Sequence, residues 1–557
     1  MKRSLPSDHG LVTVDRTTGG VLRVRAAEPT GRAFGLGWGH AADRIVQMLV
    51  LRISARGEAA ALLAGTDGLV AQDRFVRSKG LWCAALRQTP TLTAESRGIA
   101  QAYADGVNRW LADHPRPLEL AALTLPIEPW RPVDSVLIAL FQSYLGLAQS
   151  QEVVERFVAR VGAHGTAQDV LAVRELFAPH LVGLDPAACA GLELGAQELP
   201  VDPLCAAAFR ALMASNAIAV PPRRSASGHA LVAGDPHLDT TQLPPAFHEA
   251  VLLGPGTIQA GITVPGVPGV LAGRFTEVAL AITYGFLDQI DLFVEEVDGG
   301  RVRRGDAWVP LERIDERIDR KDGGASSVLT VWRSELGVIQ GDPSGPGRRR
   351  LLALRWILDG SGLEDVFALP FALERARDVD GARAIVARYP QSFVFTLADT
   401  AGNTGLQQTG RAPIRAPGHS GLHPEPGWDR DRWWRGALQT EHLVGLTQGP
   451  DGDRVLVTAN ETMNQEGRPV VVTLGLSTDR RDRMAAILDR GPVDRAALRA
   501  LQSDRCSRSA LRLLDRLRPH LARHPGAASL GDWDGRFEPT SESATLFERI
   551  RSGLLLA

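Results

Sequence analysis

Two hydrophobic rhythms divide this chain. Residues 10–28 alternate apolar and polar positions, as in "GLVTVDRTTGGVLRVRA". That period of two predicts half-buried strands, with Gly19-Gly20 turning a hairpin between them. Over 33–62 the rhythm lengthens. Ala42, Ile45, Val46, Leu49 and Ile53 recur every third or fourth position, which gathers them on one face of a helix. Residues 93–112 carry the same helical period, and so do 133–160 after the "EPWRP" turn. It is lost over 183–212, a Gly-, Pro- and Ala-rich stretch that reads as loop or linker. From Ser215 onward short apolar runs follow one another, among them "NAIAV", "HALVAG", "AFHEAVLL", "EVALAITY", "DLFVEEV", "SVLTVW" and "SFVFTLAD". Pro and Gly punctuate them, the pattern of a layered sheet protein. Helices return over 481–490 and twice within 494–524.

Composition narrows the class. At 557 residues the chain exceeds one ordinary core and predicts several domains or one large multilayer fold. Hydrophobic residues make up 44% and charged ones 23%, a globular balance. A formal net charge of −2 gives no electrostatic reason to expect nucleic acid or an anionic membrane as partner. No stretch approaches the roughly 20 apolar residues of a membrane span. The opening "MKRSLPSDHGLVTV" has early basic residues but no apolar run behind them, so it is not a secretory signal. As written the chain is expected in the cytoplasm; an incomplete N-terminus would admit a periplasmic or secreted location. Cys83, Cys189, Cys205 and Cys506 are scattered, without CxxC or Cys/His spacing, which argues against thiol redox chemistry and structural zinc. The phosphate-loop, HExxH and GxSxG patterns are missing, and with them the chemistries they serve.

The chemistry gathers around "MASNAIAVPP" (213–222). A Ser-Asn pair stands there at the start of an apolar strand, behind spacer-like sequence. Ser and Asn are ordinary turn formers, but a Ser so placed can also become a new chain terminus. Its neighbours decide between these readings. "FGLGWGHAADRIVQMLVLRISARGEAAALLAG" (34–65), "AYADGVNRWL" and "EPWRPVDS" precede it. "GDPHL", "GVPGVLAG", "ITYGFLDQIDLF", "ADTAGNTGLQQTGRAPIR", "GWDRDRWWRG" and "VTANETMN" follow. In this order, over roughly residues 10–550, they resemble the penicillin acylase family of N-terminal-nucleophile hydrolases.

The resemblance implies an α+β fold with a four-layer αββα core. It implies a largely helical α-chain region (1–182), a linker or spacer (183–214) and a β-chain (215–557) that begins with the nucleophile. The precursor would cut itself between Ala214 and Ser215, and the freed α-amine would serve as base. An α-amine has a pKa of about 7.7–8.0, suited to that task. Asn460 matches the side-chain donor to the oxyanion, and the backbone N–H of Tyr284 the second donor. His237 stands where cephalosporin acylases place a His touching the nucleophile, either holding the Ser hydroxyl or packed as a loop His beside Pro236. Asn216 is expected at the active-site backbone and Arg480 near Asn460, with Arg481 and Arg483 as alternative alignments. Leu238, Ala272 and Phe286 fall on the family's acyl pocket. The first two replace aromatic bulk, so an extended or fatty acyl group is expected.

Glu152, Asp288 and Asp291, with the Ile290 carbonyl, fall on the family's structural calcium site; catalysis itself would need no cofactor. The partners implied are a small N-acyl amide and the two chains of one precursor. Relatives usually continue past this chain's end, so it reads as a compact branch or a truncated protein. The alternatives to an amidase are a non-catalytic relative that binds an acylated ligand and an amide synthase using the same acyl-enzyme.

Overall fold

The computed structural model describes residues 2–177, 181, 186–194, 214–238, 243–521 and 523–556. Helices and sheets are mixed. The largest sheet has ten strands, in the order Arg3–Ser7, Gly10–Arg16, Leu22–Arg25, His248–Gly254, Thr257–Thr263, Val270–Phe275, Val278–Tyr284, Phe393–Asp399, Thr404–Gln408 and Gly445–Gln448. Neighbours run antiparallel except where Leu22–Arg25 lies parallel to His248–Gly254, with Leu22 opposite Ala250. The regions on either side of 183–214 therefore share one sheet.

A three-stranded sheet, Leu456–Thr458, Ala214–Val220 and Leu231–His237, holds Ser215 in its central strand. Alternation gives this strand two apolar faces. Ala219 points one way, toward Val394, Leu406, Val444 and Leu456 in the seam against the large sheet. Ile218 and Val220 point the other way, onto Met484, Leu488, Leu498 and Leu501, carried by helices Asp479–Leu488 and Arg495–Gln502. On the far side of the large sheet, Phe395 and Leu397 join a core that includes Phe34, Ile45 and Tyr103. A third sheet runs through residues 290–356, with Ile290–Asp298 paired to Arg349–Trp356.

The expected helix over 33–62 spans Pro29–Arg56 and stops where Gly57 turns left-handed, at φ 69°. Its first half is buried all round, because glycine lets another helix touch it. A Cβ on Gly37 would lie 2.1 Å from the Tyr103 carbonyl oxygen, and one on Gly106 would lie 1.9 Å from that of Phe34. Gly106 belongs to helix Ala94–Asp113, the expected 93–112. The expected helix 133–160 is Pro132–Ser143 and Gln149–His164, joined by a π-helical turn at Tyr144–Ala148. Within the expected linker, residues 195–213 lie outside the described ones. Pro186–Cys189 forms a helical turn, and Leu192 bridges to Arg350 on the third sheet. Among the described residues Cys83, Cys189 and Cys506 are free thiols, and no helix is long and apolar enough to cross a membrane.

Candidate active site

Ser215 sits opposite Pro236 in the antiparallel pair, and Ala214 sits opposite His237. The Ser215 N–H points away from Pro236 and donates to Asn460 Oδ1 at 2.6 Å, so a proline, which has no N–H to give, is tolerated opposite it. Ser215 Oγ donates to the Ala214 carbonyl oxygen, also at 2.6 Å. The Ser215 hydroxyl thus rests on the carbonyl group at which the chain is expected to be cut.

Asn460 follows strand Leu456–Thr458 with φ 67°, a left-handed backbone that asparagine tolerates better than most residues. Glu461 Oε2 accepts the Ala459 N–H at 2.7 Å and tightens this turn. One N–H of the Asn460 amide donates to the Tyr284 carbonyl at 2.9 Å, so Tyr284 meets Asn460 through its carbonyl. Arg480, in the first turn of helix Asp479–Leu488, donates to the Ala459 carbonyl and to Asn460 Oδ1, the latter at 2.8 Å. Burial draws the Arg480 guanidinium below its ordinary range, against the pull of Glu461 and Asp235. Of the three candidate arginines this is the one at the site. Arg481 pairs with Asp482 and Arg483 with Asp504.

Both nitrogens of His237 are engaged, and neither goes to Ser215 Oγ. Nδ1 lies 3.3 Å from an Arg480 Nη and Nε2 lies 3.1 Å from Asp235 Oδ2. Because a guanidinium only donates, Nδ1 accepts and the ring proton sits on Nε2, facing Asp235. Asn216 Nδ2 lies 3.3 Å from both Asp235 Oδ2 and His237 Nε2. Asn216 was expected at backbone; the groups it meets are these side chains. Asp235 is a residue the motif reading passed over, although "DPH" puts both side chains on one face of a strand. The hydrogen bond from His237 is the main cause holding the Asp235 carboxyl below its usual range.

Ser215 opens on a cavity of about 1190 Å³ whose walls include Val50, Leu51, Phe141, Leu271, Ile282 and Phe393. Leu238 lines it as expected. Ala272 does not: it is turned into the core behind the sheet, and its neighbour Leu271 faces the cavity instead, since adjacent strand residues point to opposite faces. Phe286 does not line it either. At φ 52° it turns away to pack near Leu287, Ala412 and Val472. Phe393 takes the aromatic place, stacked on Tyr284 with ring centroids 5.7 Å apart. Burial pushes the Tyr284 hydroxyl up to about 12.

The expected calcium ligands do not converge. Glu152 takes the Lys79 ammonium at 2.6 Å and Gln340 Nε2 at 2.8 Å on Oε1, and the Tyr144 hydroxyl on Oε2. Asp291 is gripped by Arg415 through both carboxylate oxygens at 2.9–3.0 Å, and by the Trp434 indole N–H. Asp288 Oδ1 accepts from Gln151 Nε2 at 2.6 Å and from the Thr473 N–H at 3.2 Å. Ile290 is buried in its strand opposite Trp356. Calcium asks for six to eight oxygen ligands, whereas most of these oxygens are turned toward N–H and O–H donors; Asp288 Oδ2 is buried without a hydrogen-bond partner, 3.8 Å from an Arg415 Nη. Among the described residues no group of three or more His, Cys, Asp or Glu is arranged to hold a metal ion.

A family model described as penicillin amidase matches residues 11–557. Penicillin acylase 2 proenzyme from Pseudomonas sp. (strain SE83) is 29% identical over 99% of this chain and 72% of its own length. Acyl-homoserine lactone acylase QuiP from Pseudomonas putida is 28% identical over 96% of this chain and 68% of its own. A solved thermostable penicillin G acylase from Alcaligenes faecalis, in orthorhombic form, aligns with a TM-score of 0.48 at 19% identity, over 58% of this chain and 60% of that one.

Proposed function

The chain belongs to the penicillin amidase family, whose matched relatives are acylases that hydrolyse linear amides, and from this premise we propose that it is a self-processing acylase with Ser215 as N-terminal nucleophile. The layering of helices, large sheet, three-stranded sheet and helices supports reading its core as the αββα arrangement of N-terminal-nucleophile hydrolases. The observation that carries the proposal is Ser215 itself. Its hydroxyl lies against the Ala214 carbonyl, its N–H is held by Asn460, and it opens on a large apolar cavity.

In the first reaction Ser215 Oγ attacks the Ala214 carbonyl carbon, the peptide C–N bond breaks, and an ester forms with a free α-amine. Water then cleaves that ester. In turnover the α-amine takes the Ser215 proton as Oγ attacks the substrate amide, then passes it to the leaving amine. Asn460 Nδ2 keeps a second N–H for the developing oxyanion, and the Tyr284 N–H is the expected companion donor. Arg480 holds the amide in the required sense by binding Oδ1. No step calls on a cofactor. An acyl group that fills this apolar cavity is extended and hydrophobic. The relatives' printed names make N-acyl β-lactams and acyl-homoserine lactones the first substrates to try, with acylated peptides after them.

The test is the denatured mass of the purified protein beside Ser215→Ala, together with release of a chromogenic amine from a long-chain acyl anilide. Two chains split before Ser215, an intact variant of 59.9 kDa, and turnover by the wild type alone are expected. One uncut chain in both, without turnover, would sink the acylase and leave a protein that binds acyl groups.

A further inference from the structure

Two cations beside helix Gln149–His164 occupy carboxylates to which the family resemblance assigns calcium. Lys79 is one. Its side chain is 1% exposed and that of Glu152 is 2%, so the ammonium is sealed against the one carboxylate it meets. Arg415 is the other. It is buried with Asp291 and sends a further N–H toward the Asp288 carbonyl at 3.4 Å. Together they bring the formal charge of a single divalent cation, and their N–H donors meet Glu152 Oε1 and both carboxylate oxygens of Asp291.

The surrounding bonds join the chain before Ser215 to the chain after it. Gln340 Nε2 reaches Glu152, and Gln151 Nε2 reaches Asp288. The Gln289 N–H donates to Gln151 Oε1 at 2.9 Å, and the Leu292 N–H to Glu155 Oε2 at 2.8 Å. Side chains of the helix thereby satisfy the backbone at the start of strand Ile290–Asp298, and Glu152 and Asp291 are each paired with a cation of the chain itself.

We propose that Lys79 and Arg415 stand in this protein for the bound divalent cation, and that the seam between helix Gln149–His164 and strand Ile290–Asp298 is held without metal. Removing one member of a buried ion pair strands the other charge, whereas removing both does not. That asymmetry makes the proposal testable without any assay of activity, and in the uncut Ser215→Ala protein as well as the wild type.

The experiment measures metal content by mass spectrometry and Tm after exhaustive dialysis against EDTA and after calcium addition. It uses the wild type, Ser215→Ala, Lys79→Met, and Lys79→Met combined with Glu152→Gln. Expected are no stoichiometric calcium and the same Tm in EDTA and calcium. Lys79→Met should have a lowered Tm that calcium does not restore, and the double variant should regain most of the loss. Bound calcium at one per chain, a Tm that calcium raises, or a Lys79→Met protein as stable as the wild type would each overturn it. Should Lys79→Met fail to fold, the double variant and the EDTA arm still decide. If Ser215→Ala is cut like the wild type, the self-processing proposal fails and this one stands.

Discussion

Asn460 holds the Ser215 N–H through its oxygen while its nitrogen faces Tyr284, so one side chain serves both the uncut chain and the expected enzyme. Asn460→Ala should therefore slow both reactions. Loss of an oxyanion donor costs about 10²–10³ in kcat, measurable on the acyl anilide, and chain cleavage in a pulse of fresh protein should slow with it. Asp235 acts one step further back, through His237 and Arg480. Its pKa is lower folded than unfolded, so the stability it adds is complete above the ordinary carboxylate pKa and disappears as pH falls through the folded value. Asp235→Asn should cost on the order of 1 kcal/mol at neutral pH, discounted because the carboxylate is 26% exposed. The difference between the two proteins should shrink in denaturant titrations as pH falls below the ordinary carboxylate pKa of about 3.9. Ser215 and Asn460 could be read from sequence because each brings its own motif. Lys79 and Arg415 could not, because their partners come from distant parts of the chain. Ala272 was misplaced by one residue, and one residue on a strand is enough to exchange core for cavity.

At the scale of elements, the crossing of Pro29–Arg56 with Ala94–Asp113 depends on two glycines. Gly106→Ala drives a methyl into the Phe34 carbonyl, a rigid neighbour, and should lose at least the roughly 1–3 kcal/mol of an overpacked core, read as a fall in Tm. Asp73, on helix Asp67–Ser78, accepts the Ala59 and Ala60 N–H groups that begin the preceding short helix, Ala59–Leu62. Burial is the main cause raising its carboxyl to about 6. The folded state therefore binds this proton more tightly than the unfolded state, and the stability so gained is lost as pH rises from about 4 through 6. Asp73→Asn should flatten that part of the stability–pH curve, as measured by denaturant titration across the window. The long helix showed its period only from Ala42 onward, because residues 31–41 are buried on every side and have no polar face to mark. Several strands of the third sheet escaped notice for the opposite reason. Stretches such as "ERIDERI" are charged and largely solvent-facing, so little hydrophobic signal distinguishes them from loop.

For the whole molecule, the proposed cut before Ser215 would divide a shared sheet. Strands Arg3–Ser7 to Leu22–Arg25 would stay with the first chain and His248–Gly254 with the second, so the two would remain joined by a hydrogen-bonded ladder and by the helix seam at Gln151 and Glu155. The processed protein should have a Tm that rises with protein concentration, because its unfolding releases two chains. Uncut Ser215→Ala should show no such dependence; calorimetry over a wide concentration range checks both.

The parallel ladder between Leu22–Arg25 and His248–Gly254 is laid down while a covalent tether still carries one strand to the other. If the proposed cut removes that tether, the same ladder can be rebuilt only by a chance meeting of two strangers, each lacking the other's half of the sheet. The working molecule is then made once. Its service life would be governed by how seldom it opens, not by how readily it would close again, and a cell that loses activity to heat would have to replace the protein by synthesis.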